Sequence, residues 1–314
     1  MGIWFILNLV GFMSLDVIGI PGNLIILFVF VHALTCHRKI STSEIILSKL
    51  ALSNLLVVLT WGFPLTLEAS GLQKVYNDLT CKLSLYFYCV GRAMSICITS
   101  LLGCFQCLTV APSPQRWLHM RQKVLDNLSS IIIGLWCFNL LICSTRLVYS
   151  QVQVNSTSDK YILSYDFCFV VFPNYFLYVG NGIIFVARDL FFLSLMSLAS
   201  GYLLYVFYQH GKQIQGLHNV HKHAEIRAAK AVATLVLMYI FSFGLDSMFW
   251  IFTLCMSPIS PRFTDARIFF DSCYSAISPV VIILTNKKIQ HGLRCSAKKK
   301  LRSMKSISKY IGTN

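Results

Sequence analysis

The chain has 314 residues, 56% of them apolar and only 12% charged. A soluble domain carries about 25% charged residues, so a soluble protein built around one buried core is excluded. The formal net charge is +15, from 27 Lys and Arg against 12 Asp and Glu. The basic residues gather between apolar stretches and in the tail, so membrane topology and anionic lipid explain the excess, and no nucleic-acid partner is implied.

Seven apolar stretches follow one another, at roughly residues 9–32, 45–67, 82–110, 128–148, 182–208, 229–255 and 266–285. Each is long enough to cross a bilayer as a helix, which takes ~20 residues. A membrane β-barrel would instead show ~9–11-residue strands of alternating polarity. The sequence therefore predicts an all-α membrane protein. Residues 1–285 form a seven-transmembrane helix bundle, followed by a basic cytosolic tail over 286–314. No basic region precedes the first stretch, and its apolar run is too long for a cleaved leader, so it is expected to be a retained span. Arg38 and Lys39, then Arg116, Arg121 and Lys123, then Lys212, Lys222, Arg227 and Lys230, and the tail from Lys287 to Lys309 fall on one side. The other side collects Lys74, Lys82, Arg146, Lys160, Arg262 and Arg267. The positive-inside rule then puts the N-terminus outside and the C-terminus in the cytosol.

The third stretch organises the rest. Tyr88, Arg92, Ser95 and Thr99 recur at helical spacing on one face. A charge within a span costs roughly 2.5–3.5 kcal/mol on insertion scales, so Arg92 must face protein or water, and this helix must be surrounded by others. Pro112 and Pro114 end it.

On the outer side, Asn155-Ser-Thr is a glycosylation acceptor after the fourth span. Cys81 and Cys168, among 12 cysteines, are the two best placed in the oxidising compartment. A disulfide between them would tie the long outer loop to the top of the third helix; the alternative leaves two free thiols. Cys104 and Cys107 form a C-x-x-C within a span, without a second ligand pair, and read as packing residues. His218, His221 and His223 read as solvated loop residues. No metal, cofactor or catalytic constellation is expected. In the tail, Ile289, Leu293, Leu301 and Met304 can line the apolar edge of a basic surface helix, and Cys295 is a candidate palmitoylation site.

Gly22-Asn23 in the first span, the cysteine pair and the seven spans resemble a rhodopsin-like G-protein-coupled receptor. Several marks of that superfamily's main branch differ. Asn54 stands in the second span where Asp is usual, the third span ends without Asp-Arg-Tyr, and the seventh carries Ser278-Pro279 in place of Asn-Pro. These departures are themselves similar to the type-1 vomeronasal receptors and their fish counterparts, the olfactory class A-related receptors. The matching segments are Lys49-Leu-Ala-Leu-Ser-Asn54, Gly91-Arg-Ala-Met-Ser-Ile-Cys97, Phe105-Gln106, Ala111-Pro-Ser113, Val186-Ala-Arg-Asp-Leu190, Met196-Ser-Leu-Ala-Ser-Gly-Tyr202, Glu225-Ile-Arg-Ala228 and Ile277-Ser-Pro279. The resemblance implies a plasma-membrane receptor of chemosensory neurons. It would bind a small pheromone or odorant and signal through an inhibitory-class heterotrimeric G protein. Bitter-taste receptors are more distant relatives and usually lack the outer cysteine pair. A small-solute transporter is disfavoured because the span number is odd and no two halves look alike.

Within the spans lie Asp16, Glu68, Arg92, Arg188, Asp189, Asp246 and Asp271, with Lys49 near the inner end of the second. Arg92, Arg188, Asp246 and Asp271 fall at similar depth, roughly 9–15 Å below the outer surface at ~1.5 Å per residue. Four charges from four helices predict a shared cavity among spans three, five, six and seven, with Ser95 beside it and Tyr88, Phe249, Trp250 and Tyr274 as aromatic walls. Asp246 and Asp271 are the expected ligand-selecting positions and Arg92 a hub. The competing expectation is internal pairing, for example Arg92 with Asp271. On the cytosolic side Arg116, Arg121, Lys123, Lys212 and Arg227 are expected to meet the G protein, alongside their role in topology.

Overall fold

The computed structural model describes residues 3–37, 40–62, 64, 77–110, 115–152, 161–165, 168–213, 220–255, 261–286, 289–290 and 292–293. Nine α-helices occur among them: α1 Ile3–Thr35, α2 Thr42–Val57, α3 Asp78–Val110, α4 Gln115–Asp126, α5 Leu128–Cys143, α6 Thr145–Tyr149, α7 Tyr175–Gln213, α8 Val220–Cys255 and α9 Pro261–Thr285. Six stretches are long and apolar enough to cross a membrane among the described residues: 9–35, 42–62, 78–109, 128–149, 175–206 and 268–285. The remaining long helix, α8, has 36 residues.

The helices overrun the apolar stretches that announce them. Hydropathy marks only the part that crosses lipid, whereas the ends are set by capping groups. The Asn77 carboxamide oxygen accepts the Thr80 N–H at 2.8 Å and starts α3 ahead of residue 82. Asn174, just after Pro173, accepts the Leu177 N–H at 2.8 Å and starts α7 ahead of residue 182. At α2 the Ser41 N–H donates to the Glu44 carboxylate at 2.6 Å, half of a capping box. The fourth apolar stretch is two helices. The Ser144 hydroxyl and N–H both turn back to the Leu141 carbonyl, at 2.7 and 3.2 Å, and the chain restarts as α6. The second ends in a π-helical turn, Val58–Gly62.

α3 is the axis of the bundle. Its span is 72% buried, against 17% for α1 and 22% for α7, so α3 is walled by helices while those two turn broad faces to lipid. Val17, Leu141, Phe176 and Leu198 are among the exposed apolar side chains. Ala93, Met94, Ile96, Cys97 and Ile98 of α3 are fully buried and head the main core cluster. The approach of α2 to α3 is set at Gly91. A methyl group there would stand 3.1 Å from the Ser53 carbonyl oxygen and 3.2 Å from the Val57 nitrogen, backbone atoms that cannot yield.

Farther from the Cys81 end of α3, the helices are joined by hydrogen bonds between polar side chains and from Asn23 to backbone carbonyls. The Ser95 hydroxyl donates to the Asn54 carboxamide oxygen at 2.6 Å, and the Asn54 amide donates to the Ser278 hydroxyl at 2.8 Å. The Asn23 amide reaches the Gly19 and Ser275 carbonyls at 2.9 and 3.1 Å. The Thr99 and Tyr274 hydroxyls share a bond of 2.7 Å. Four helices are thereby pinned in register.

An all-helical expectation misses a small sheet in the loop between α6 and α7. β1 (Ser150–Gln151), β2 (Ile162–Ser164) and β3 (Phe169–Val171) pair antiparallel in the order β1-β3-β2, with Ser150 and Leu163 both opposite Val170. Strands of two or three residues carry too little alternation to be read from sequence. Cys81 at the top of α3 and Cys168 beside β3 form a disulfide, with Cα atoms 5.8 Å apart. The Asp78 carboxylate accepts the Val152 N–H at 2.9 Å and fixes the other edge of the loop. Past α9, Gln290 donates to the Ile283 and Leu284 carbonyls at 3.0 and 2.8 Å, and Ile289 is buried rather than lying at a surface edge.

Candidate functional site

A cavity of about 60 Å³ lies between α3, α6, β2 and the N-terminal part of α7. A single water needs roughly 10–15 Å³ on this measure, so the space suits a few waters or a compact ligand group. α3 supplies Tyr88, Cys89 and Arg92, and α6 supplies Arg146. The loop sheet contributes Leu163 and Tyr165, and α7 contributes Tyr178, Asn181, Phe185 and Arg188.

Each wall has a local cause. The disulfide and the Tyr165 N–H bond to the Cys168 carbonyl, 2.8 Å, hold the loop down over the helices. Tyr165 is thereby buried. The π turn in α2 brings the fully buried Trp61 against the Tyr88 ring at 5.1 Å and the Tyr165 ring at 5.5 Å. The break at Ser144 turns α6 so that Arg146 points into the protein, where it is 8% exposed. The Cys89 and Cys143 thiols lie 2.8 Å apart on the α3–α5 contact.

Three guanidiniums surround the space. Arg188 is buried, and its Nε and Nη2 engage Asp189 Oδ1 at 2.8 and 2.7 Å. Arg92 Nη2 meets Asp246 Oδ2 of α8 at 2.8 Å. The Arg146 and Arg188 guanidinium carbons stand 5.1 and 4.8 Å from the centre of the Phe185 ring, so one aromatic ring serves two cations. Nη1 of Arg146 is buried and has no hydrogen-bond partner among the described residues.

Of the residues singled out in the sequence, Tyr88, Arg92 and Arg188 meet at this cavity. Ser95 and Tyr274 sit farther along the bundle in the interhelical network. There Ser95 is committed to Asn54, and Tyr274 to Thr99 and, edge to face, to Tyr239 at 4.9 Å. Asp246 stands opposite Arg92, so the internal pairing expected of the intramembrane charges includes this pair. Phe249, Trp250 and Asp271 fall on α8 and α9, but their side chains lie outside the described ones. Among the described residues the cavity is lined from α3, α6, α7 and the loop that carries the sheet. Arg146, Trp61, Tyr165 and Phe185 were not singled out. For Arg146 a signal existed: it lies inside the apolar stretch 128–148 although it was counted with the outer-loop charges.

At the opposite end, the basic segment after α3 is the helix α4. It carries a half-buried Arg121 and an exposed Lys123, and its Trp117 ring stacks on Tyr202 of α7 at 6.0 Å and 4°. Arg116, Lys212 and Arg227 lie on α4, α7 and α8 with side chains outside the described ones, and Asn155 and Cys295 are outside the described residues altogether. Among the described residues no three His, Cys, Asp or Glu side chains gather as a metal site. Cations and aromatic rings converge on this cavity, which makes it the candidate recognition site.

Comparison with known proteins gives a consistent result. A family model described as the vomeronasal organ pheromone receptor family matches residues 9–295. The chain is 32% identical over 299 residues to Olfactory receptor class A-like protein 1 of Danio rerio, covering 95% of each chain. It is 25% identical over 291 residues to Vomeronasal type-1 receptor 3 of Homo sapiens, covering 88% of this chain and 90% of that one. Against Vomeronasal type-1 receptor 90 of Rattus norvegicus the identity is 27% over 288 residues, with 90% and 92% covered.

Proposed function

The chain belongs to the vomeronasal organ pheromone receptor family, and from that premise we propose how its geometry receives and transmits a chemical signal. It is a chemosensory G-protein-coupled receptor of the plasma membrane and not an enzyme. In our reading α8 completes seven spans, the N-terminus is outside, and residues 286–314 form a cytosolic tail on anionic lipid. The loop carrying the sheet is then outermost, Asn155 on it is a glycosylation site, and Cys295 is a palmitoylation site. The pheromone or odorant enters from that side and contacts Tyr88, Arg92 and Arg188. The cytosolic ends of α4, α7 and α8 meet an inhibitory-class G protein through Arg116, Arg121, Lys123, Lys212 and Arg227.

One observation carries the proposal: the Arg92–Asp246 ion pair runs from the cavity wall on α3 to α8. A ligand can shift a conformational equilibrium only by binding one arrangement better than the other. A group that engages Arg92 competes with Asp246 for the same guanidinium. It therefore favours an arrangement in which α8 has let go of α3 and its cytosolic end can swing outward. The pair stands in for the latch that an Asp-Arg-Tyr motif supplies in the superfamily's main branch. Asp271 of α9 keeps its proposed part as a ligand-selecting residue on the far wall, with Phe249 and Trp250.

The test is a ligand screen in cells carrying a promiscuous G protein, comparing wild type, Arg92→Gln and Asp271→Asn at equal surface expression. The expected result is a ligand-evoked, G-protein-dependent response in wild type that Arg92→Gln abolishes. Ion flux or solute uptake without G-protein signalling would overturn the reading. So would an undiminished response in Arg92→Gln.

A further inference from the structure

Three guanidiniums border the cavity, and two of them each hold a carboxylate. Asp189 is held by Arg188 at 2.7 Å and Asp246 by Arg92 at 2.8 Å. Arg146 is the third. It is 8% exposed, its Nη1 meets no acceptor among the described residues, and the contact it does make is with the face of Phe185 at 5.1 Å. A cation–π contact is worth ~0.5–2 kcal/mol, whereas withdrawing a charge from water costs several kcal/mol. The Phe185 ring is also shared with Arg188. Arg146 is therefore a buried fork of donors held at a cavity without a counter-charge among the described residues.

We infer that the cavity takes the anionic group of a small, freely diffusing ligand, a carboxylate or a group of like charge, with Arg146 as its principal anchor. The inference deepens the receptor reading by naming the ligand's charge. A guanidinium presents parallel N–H donors that match two oxygens of one acid group, and such charge-assisted bonds are about twice as strong as neutral ones. Arg188, still held by Asp189, and Arg92 add positive potential from the other walls. Tyr88, Tyr165 and Phe185 make the remaining lining largely aromatic, which suits a short apolar body behind the acid group. At about 60 Å³ the space admits a compact acid and not a bulky one. An amine in the same place would add a fourth cation to an already positive site.

The receptor, purified in phosphatidylcholine nanodiscs at fixed ionic strength in chloride, tests this with three probes of one shape: butanoate, butan-1-ol and butylammonium. Butanoate alone is expected to raise the unfolding midpoint saturably by several degrees. In Arg146→Gln the butanoate concentration giving half the shift is expected to rise about tenfold or more, with Arg146→Lys in between. The midpoint without probe is expected to hold or rise. Equal shifts from the alcohol or the amine would overturn the inference even if Arg146→Gln cannot be purified. So would an Arg146→Gln protein that responds to butanoate as wild type does. A net-anionic lipid headgroup is the other source of an anion. If nanodiscs containing phosphatidylserine reproduce the shift and abolish the butanoate effect, the group belongs to the bilayer and the inference falls. No G protein takes part, so failed coupling in cells and failed anion binding are read separately.

Discussion

The bundle has two polar layers, and they obey opposite rules. In the middle, Asn54, Ser95 and Ser278 close a chain of short hydrogen bonds across three helices, and Thr99 and Tyr274 close another between α3 and α9. One or two turns farther out, three arginines share two carboxylates and one phenyl ring, and Arg146 keeps an unpaired donor. Both are polar groups far from bulk water, yet one network is complete and the other is not. A complete network fixes a structure, because removing any member strands its neighbour. An incomplete one holds affinity in reserve for a molecule that has yet to arrive.

The contrast can be broken by subtraction. Asp189→Asn should cost most, about 3–5 kcal/mol, because it strands the buried Arg188 charge; a large fall in detergent thermal stability and loss of surface receptor would be the readouts. Asn54→Ala removes the shared partner of Ser95 and Ser278 and should cost about 1–3 kcal/mol, measured as the same melting shift with or without any ligand. Tyr274→Phe loses only the bond to Thr99 and should cost about 0.5–1.5 kcal/mol. Asp246→Asn should cost less stability than Asp189→Asn, since Asp246 is buried but the Arg92 side chain it releases is 19% exposed and can turn toward water. The same substitution should raise ligand-independent signalling roughly threefold at matched surface levels. If Asp246→Asn is silent in basal signalling while Asn54→Ala is well tolerated, the two layers do not differ in kind.

How much of this could be read beforehand depended on whether one helix or several decide it. Tyr88, Ser95 and Thr99 are all buried, as the spacing along α3 requires, because a helix's own period fixes which residues share a face. The apolar stretches located helices for the same reason. What a face meets is another matter. Arg92 meets Asp246 on α8, a partner that depth along the helices could not single out among the intramembrane carboxylates. Ser95 and Tyr274 fell to the complete network because Asn54 and Thr99 happen to stand opposite them. Arg146 was hidden by one residue: Ser144 ends α5 with a turn, and the restarted helix swings the side chain inward from what reads as the foot of a loop. Trp61 and Tyr165 depended on a π turn and on a sheet of three-residue strands, neither of which leaves a periodic trace.

The π turn at Val58–Gly62 bears on more than the seat of one indole. Successive residues of an α-helix are rotated by about 100°, and a π turn absorbs one residue beyond that schedule. Excising a single residue there would restore ordinary winding and carry Trp61 from between Tyr88 and Tyr165 toward the lipid. Tyr88 and Tyr165 would then lose the ring packed behind them, with every residue that lines the cavity unchanged. Length, as much as spelling, is thus a dial on what this receptor accepts: one codon lost within Val58–Gly62 reshapes the surroundings of the cavity and leaves Asn54, which precedes the turn, in its network.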